Sequence, residues 1–249
     1  MTTLSVLAYN ILPGMTWPFT KSGSTPDHPL LAQSKDYFET LDQSRPLNEY
    51  GFVVLDTELT GLNVKKDEIV SIGALRINEL RIDMEESFYY CACPTRDVPK
   101  QSVVIHGITP SEAQKAPPLK EALQKLLDYC GNAIIVGHNI NLDISVINRE
   151  LKKHFGGALY NPCIDTMRLA RVYKEGQWTG AYEFYEEYSY NLRNLSREFG
   201  LPLFAEHNAF TDALQTAYLF IYLAHKIQDR TAWTLKDLCK AGCLKRWGL

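Results

Sequence analysis

With 249 residues, 45% of them hydrophobic, the chain can bury one full core and a small extension, so one domain of enzyme size is expected. The 26 basic residues are outnumbered by 29 acidic ones, and the formal charge of −3 excludes a global positive field of the kind that draws proteins to nucleic acid. Any grip on a polyanion must therefore be local.

Six cysteines, at 91, 93, 130, 163, 239 and 243, form neither a CxxC pair nor a paired zinc spacing, which fits the reduced thiols of a cytoplasmic protein. Cys239 and Cys243 could share a helix face, where packing explains them better than a metal. The apolar Leu4-Ser5-Val6-Leu7-Ala8 follows no basic cluster and is broken by Pro13 and Gly14, so no signal peptide is expected. No run of 18 apolar residues exists to span a membrane.

In chain order, residues 1–48 read as an N-terminal appendage: a Pro/Gly/Ser-rich stretch, then a helix carrying Leu30, Leu31, Tyr37, Phe38 and Leu41. Strands follow at 51–56, 69–77 and 87–93, an antiparallel meander by their close succession. Thr109-Pro110-Ser111-Glu112 has the form of a capping box, so a short helix is expected to start at Pro110. A longer helix over 118–130 leads to a buried strand at 133–137, and strand-helix-strand order predicts parallel α/β construction.

Beyond that strand, His138-Asn139-Ile140-Asn141-Leu142-Asp143 runs into a helix with the stripe Ile144, Ile147, Leu151 and Phe155. Ile164-Asp165-Thr166 is expected to open another helix with Asp165 as its cap. Residues 173–190, rich in Tyr, Trp and Glu, read as a surface excursion, and 191–199 as a helix closed by Gly200 and Pro202. A strongly apolar helix after Asp212 is expected to lie against the sheet, with a short helix from Thr234 in a tail at 231–249. The main domain is thus placed at 49–230.

Asp56 and Glu58 close the first strand, one residue apart. Period-two alternation puts both on one face, about 6.5–7 Å apart along the backbone. Taken singly, Asp143 and Asp212 read as helix caps, Glu58 as a solvated acid and His207 as a surface histidine. Together they put an acid at each of three α/β edges, where ligands gather in open sheets. Four carboxylates brought together would repel one another unless cations neutralised them, and oxygen donors of this kind suit Mg²⁺ or Mn²⁺.

At this level of detail the chain resembles the DnaQ-like exonucleases of the DEDDh group, the family of the proofreading epsilon subunit of bacterial DNA polymerase III. Asp56-Thr57-Glu58-Leu59-Thr60-Gly61 is similar to the first family motif, His138 to Asp143 to the second, and His207-x4-Asp212 to the third. Ile105-His106-Gly107-Ile108-Thr109 and Cys163-Ile164-Asp165-Thr166-Met167 add to the likeness, which covers about residues 46–228. Two positions depart from it: Leu59 stands where the family usually has Thr, and Leu142 where it usually has Phe.

The resemblance implies a ribonuclease H-like mixed sheet flanked by helices and hydrolysis of phosphodiesters from a 3′ end with two metal ions. It implies Asp56, Glu58, Asp143 and Asp212 as ligands, with Asp56 shared between the ions, and His207 as the base that accepts the water's proton. Activity should then fall toward acid pH. By position, backbone groups of Thr57 to Thr60, Leu59 among them, would hold the terminal nucleotide, Leu62 would wedge beside its base, and His106 and Asn139 would line the pocket. His106 has a rival reading as a packed core histidine. The expected substrate is single-stranded DNA or frayed 3′ ends, with a polymerase or repair complex as possible partner. The rival functions are an exoribonuclease and a catalytically dead binding module.

Overall fold

A computed structural model of the chain describes residues 28–175, 190–228 and 233–244. Most of the excursion expected at 173–190 lies outside them. Five strands form one sheet in the order β3-β2-β1-β4-β5. The strands are β1 (Phe52–Leu59), β2 (Ile69–Asn78), β3 (Arg81–Cys91), β4 (Ile134–Gly137) and β5 (Cys163–Asp165).

β1 pairs antiparallel with β2 and parallel with β4, so the meander and the parallel half meet on it. It reads as a nearly continuous apolar run because both of its faces are covered. Val53 and Leu55 belong to one core with α4 (Leu119–Cys130) and α5 (Asn141–Phe155), while Phe52 and Val54 belong to the other with the long α8 (Ala209–Gln228). In α4, Ala122, Leu123, Leu126, Leu127 and Cys130 are buried at three- and four-residue steps, the stripe that seats a helix on a sheet.

Described segments on both sides of the expected boundaries pack into the two cores. Leu31 and Phe38 of α1 (Pro29–Glu39) are 1% and 2% exposed, and Leu31 joins the first core. Leu47 joins the second core, as do Leu235 and Leu238 of the helix Leu235–Gly242. A bridge between Pro46 and Thr234 ties the two segments together.

The helix expected at Ile164-Asp165-Thr166 is α6 (Thr166–Glu175), and Asp165 caps it by accepting from Met167 N–H; the three-residue strand β5 before it, parallel to β4, is not among the expected elements. Residues 100–106, unassigned in the sequence, form α2 (Lys100–His106), which lacks a side-chain cap and ends on Gly107 at φ 75°. The capping box of α3 (Pro110–Lys115) is present, with both Thr109–Glu112 bonds made. The remaining helix before α8 is α7 (Leu192–Glu198), capped by Asn191.

Candidate active site

The carboxyl end of β1 carries Asp56 and Glu58 on the face that α8 covers. Opposite them in β2 stand Gly73 and Ser71. A Cβ on Gly73 would lie 2.3 Å from the carbonyl of Ala209 and the amide nitrogen of Phe210, so only a bare strand lets the start of α8 come this close. That approach brings Asp212, in the first turn of α8, to the acids of β1. Ligand oxygens of Asp56, Glu58 and Asp212 all lie within 4.8 Å of one another.

Burial and mutual repulsion act on this trio together. Asp56 is pushed well above the usual carboxylate range, first by desolvation and then by the charges of Asp143, Asp212 and Glu58. Desolvation, with Asp212 and Asp143 adding to it, raises Glu58 to about 7. Asp212 is also raised by burial, against the pull of the His207 backbone N–H that donates to it at 2.8 Å. Among the described residues no Lys or Arg forms an ion pair with any of them.

Asp143 adjoins the trio from the first turn of α5 without joining its tight group. Its Oδ1 accepts from both the N–H and the hydroxyl of Thr57, at 3.1 and 2.5 Å. Burial raises it to about 6 although these bonds pull it down. Thr57, expected to touch the nucleotide, is therefore spent on holding Asp143. The ring-bearing His207 is exposed, at φ 63°, and is held by its backbone bond to Asp212.

The other expected contacts divide. Leu62 is 83% exposed beside the site. Asn139 is exposed at φ 52°, its N–H taken by Asp165, whose same oxygen accepts from Met167 N–H. The Leu59 side chain packs into the first core, since alternation turns it away from the acids.

Thr60 is likewise spent inside the protein. Its N–H donates to the Glu68 carbonyl and its hydroxyl to Asp67, while its carbonyl accepts from the Ser102 hydroxyl at 2.7 Å. His106 is 8% exposed, and its Nδ1 accepts from Ile108 N–H. Its buried Nε2 has no partner, and desolvation lowers its pKa.

Sequence reasoning missed Gly73, Ser102 and Arg149, which hold the site rather than form it, and gave Thr57 a different role. Arg149 of α5 donates to the carbonyls of Val64 and Asp67 in the loop after β1. A glycine inside the apolar run of β2 was the one available signal.

The sequence profile described as "Exonuclease" matches residues 53–220. The DNA polymerase III subunit epsilon of Aquifex aeolicus is 31% identical over 176 residues, 71% of this chain and 81% of that protein. The PolC-type DNA polymerase III of Caldanaerobacter subterraneus subsp. tengcongensis is 34% identical over 181 residues, but the match spans only 12% of its length.

Among solved structures, Escherichia coli exonuclease I bound to a dT13 oligonucleotide superposes with a TM-score of 0.63 at 19% identity, over 73% of this chain and 42% of that one. Exonuclease X in complex with 5′-overhanging duplex DNA gives 0.57 at 22%, over 76% and 98%. These two carry the fold, a ribonuclease H-like mixed sheet. The chain belongs to the exonuclease family, whose model matches its residues 53–220.

Proposed function

We propose that the chain is a divalent-metal-dependent nuclease that removes nucleoside 5′-monophosphates from single-stranded DNA or frayed 3′ ends, in proofreading or repair. The trio Asp56, Glu58 and Asp212, with ligand oxygens within 4.8 Å and no Lys or Arg paired with it among the described residues, carries this reading. Buried, mutually repelling oxygen donors fit hard cations such as Mg²⁺ or Mn²⁺. Asp56, Glu58 and Asp212 would hold one ion, and Asp56 with Asp143 the second. Bound there, such ions neutralise charge on the phosphate and acidify a water.

The chain's own groups supply the rest. His207, held to Asp212 through its backbone, accepts the proton of the attacking water, for which its ring must be neutral. Thr57 keeps the Asp143 carboxylate turned to the site. Leu62 offers an apolar surface to the terminal base. The names of the relatives, DNA polymerase III in each case, favour DNA over RNA and make a polymerase or repair complex the proposed partner.

The test uses one oligonucleotide sequence as DNA and as RNA, labelled at either end, with Mg²⁺, with Mn²⁺ and with chelator. A ladder shortening from the 3′ end and labelled mononucleotide in the first turnover are expected with DNA, and no product with chelator. Faster cleavage of RNA would establish the exoribonuclease instead. Metal-independent cleavage or attack from the 5′ end would overturn the proposal.

A further inference from the structure

The exonuclease reading leaves a question of charge. A chain of net charge −3 with four acids in its site must hold a polyanion. The densest answer among the described residues is the rim that leaves β1 immediately after Glu58. Loop 62–67 presents Lys65 and Lys66, both exposed, next to the exposed Leu62. The segment leading into α2 adds Arg96 and Lys100, also exposed. None of the four has a carboxylate within ion-pair distance, and what sets them apart from other unpaired Lys and Arg residues is their place in the two segments joined to the end of β1.

The loop is also built, not merely exposed. Arg149 holds its Val64 and Asp67 carbonyls from α5, and Val64 packs against the first core. Ser102 and Thr60 join α2 to its start. The Glu68 carboxylate joins its end to the second segment by accepting from Thr95 N–H and hydroxyl at 2.5 Å each.

The acids of the rim are largely turned to this work. Asp67 accepts from the Thr60 hydroxyl and Asn63 N–H, and Glu68 from Thr95, which leaves Asp97 as the exposed acid without such a bond. Four outward cations thus stand on a scaffold whose carboxylates, Asp97 apart, are bonded within it.

We propose that this rim, with Lys65 and Lys66 at its tip, grips the phosphates of the substrate strand upstream of the terminal nucleotide. The inference rests on the exonuclease reading for the direction of the strand. It explains how an acidic protein holds a polyanion without a global positive field: the cations are placed beside the acids, at the one edge where the strand must arrive.

Binding of a 5′-labelled dT15 oligonucleotide to the full chain, followed by fluorescence anisotropy in chelator across a series of salt concentrations, tests this without requiring turnover. Loss of two contacts should lower the slope of log affinity against log salt by about 1.4 in the Lys65→Gln, Lys66→Gln double variant, at roughly 0.7 per single-strand phosphate. Lys65→Arg with Lys66→Arg should keep the slope, which separates charge from loop distortion. Arg81→Gln with Lys236→Gln, at the opposite end of the sheet, should also keep it.

An unchanged slope in the first variant, an equal drop in the distal one, or no binding by the unaltered chain overturns the rim. Normal rim behaviour in a protein that cleaves nothing with Mg²⁺ would instead overturn the nuclease reading alone.

Discussion

Two groups of buried carboxylates in this molecule are handled in opposite ways. Glu150, 4% exposed on α5, has Arg149 at 2.7 Å, Lys153 at 3.5 Å and the His154 ring at 3.7 Å. All three lie within four residues of it on its own helix. Asp56, Glu58 and Asp212 come from two elements more than 150 residues apart in sequence and have no Lys or Arg paired with them. A buried acid that serves structure brings its counter-charge with it. One that serves a cation leaves that place open, and the protein tolerates the cost of unpaired burial until the cation arrives.

The largest expected effect tests the open group. Asp56→Ala should cut metal-dependent hydrolysis by at least about three orders of magnitude, about 4 kcal/mol of transition-state stabilisation, because it deletes the ligand assigned to both ions. In chelator the same variant should be no less stable to urea than the parent, since it removes a charge that three neighbours repel. Full activity would dismantle the site, and collapse of the fold would mean that Asp56 serves structure as Glu150 does.

Glu150→Ala should show the reverse. Removing one partner of a buried ion pair typically costs about 3–5 kcal/mol, because it strands the remaining charge. Arg149 keeps its bonds to Val64 and Asp67, so the loss should appear chiefly in the urea midpoint and only weakly in turnover. A loss of turnover as large as that of Asp56→Ala would erase the distinction.

The same contrast explains what was legible in the sequence. β1 and its two acids could be read because a central strand writes an apolar run and alternation decides which side chains share a face. The Thr109–Glu112 box could be read because its chemistry is local. Four of the five ligand and base candidates were individually ordinary and became a site only through their order along the chain.

What escaped depends on contacts distant in sequence. α2 hides because Val104 and Ile105, 86% and 55% exposed, spoil the apolar stripe by which a helix is recognised. β5 hides because three residues are too few for a period, and Asp165 does resemble a cap: it takes Met167 N–H while also holding Asn139 N–H from the neighbouring loop. Leu59 and Thr60 sit inside the motif yet face the interior, a distinction that spacing cannot make.

A smaller effect follows from the raised carboxylates. In the folded, metal-free protein Glu58 keeps its proton up to about 7 and Asp143 to about 6, against 4.5 and 3.8 when unfolded. Between those limits the folded state binds more protons, so metal-free stability should fall by several kcal/mol as pH rises from about 4 to 7. Urea unfolding in chelator at pH 5 and pH 8 measures this, and saturating Mn²⁺ at pH 8 should restore what is lost. Stability that rises over this window would mean that the acids are paired after all.

The smallest effect concerns Asp143, which stands between the two extremes: it has no cation, yet two bonds from Thr57 hold it. Thr57→Val keeps the β-branched shape that suits a strand, removes the hydroxyl and leaves the backbone N–H. A hydrogen bond to a charged group is worth about 1.5–3 kcal/mol, so the carboxylate should become harder to ionise and less well placed. Roughly tenfold weaker binding of the second ion is expected, read as a higher Mn²⁺ requirement in a metal titration, with Thr57→Ser recovering most of it. If valine costs nothing, the backbone N–H and the start of α5 suffice to hold Asp143. The threonine hydroxyl would then contribute to packing alone, and the boundary between open and supported acids would run on the far side of Asp143.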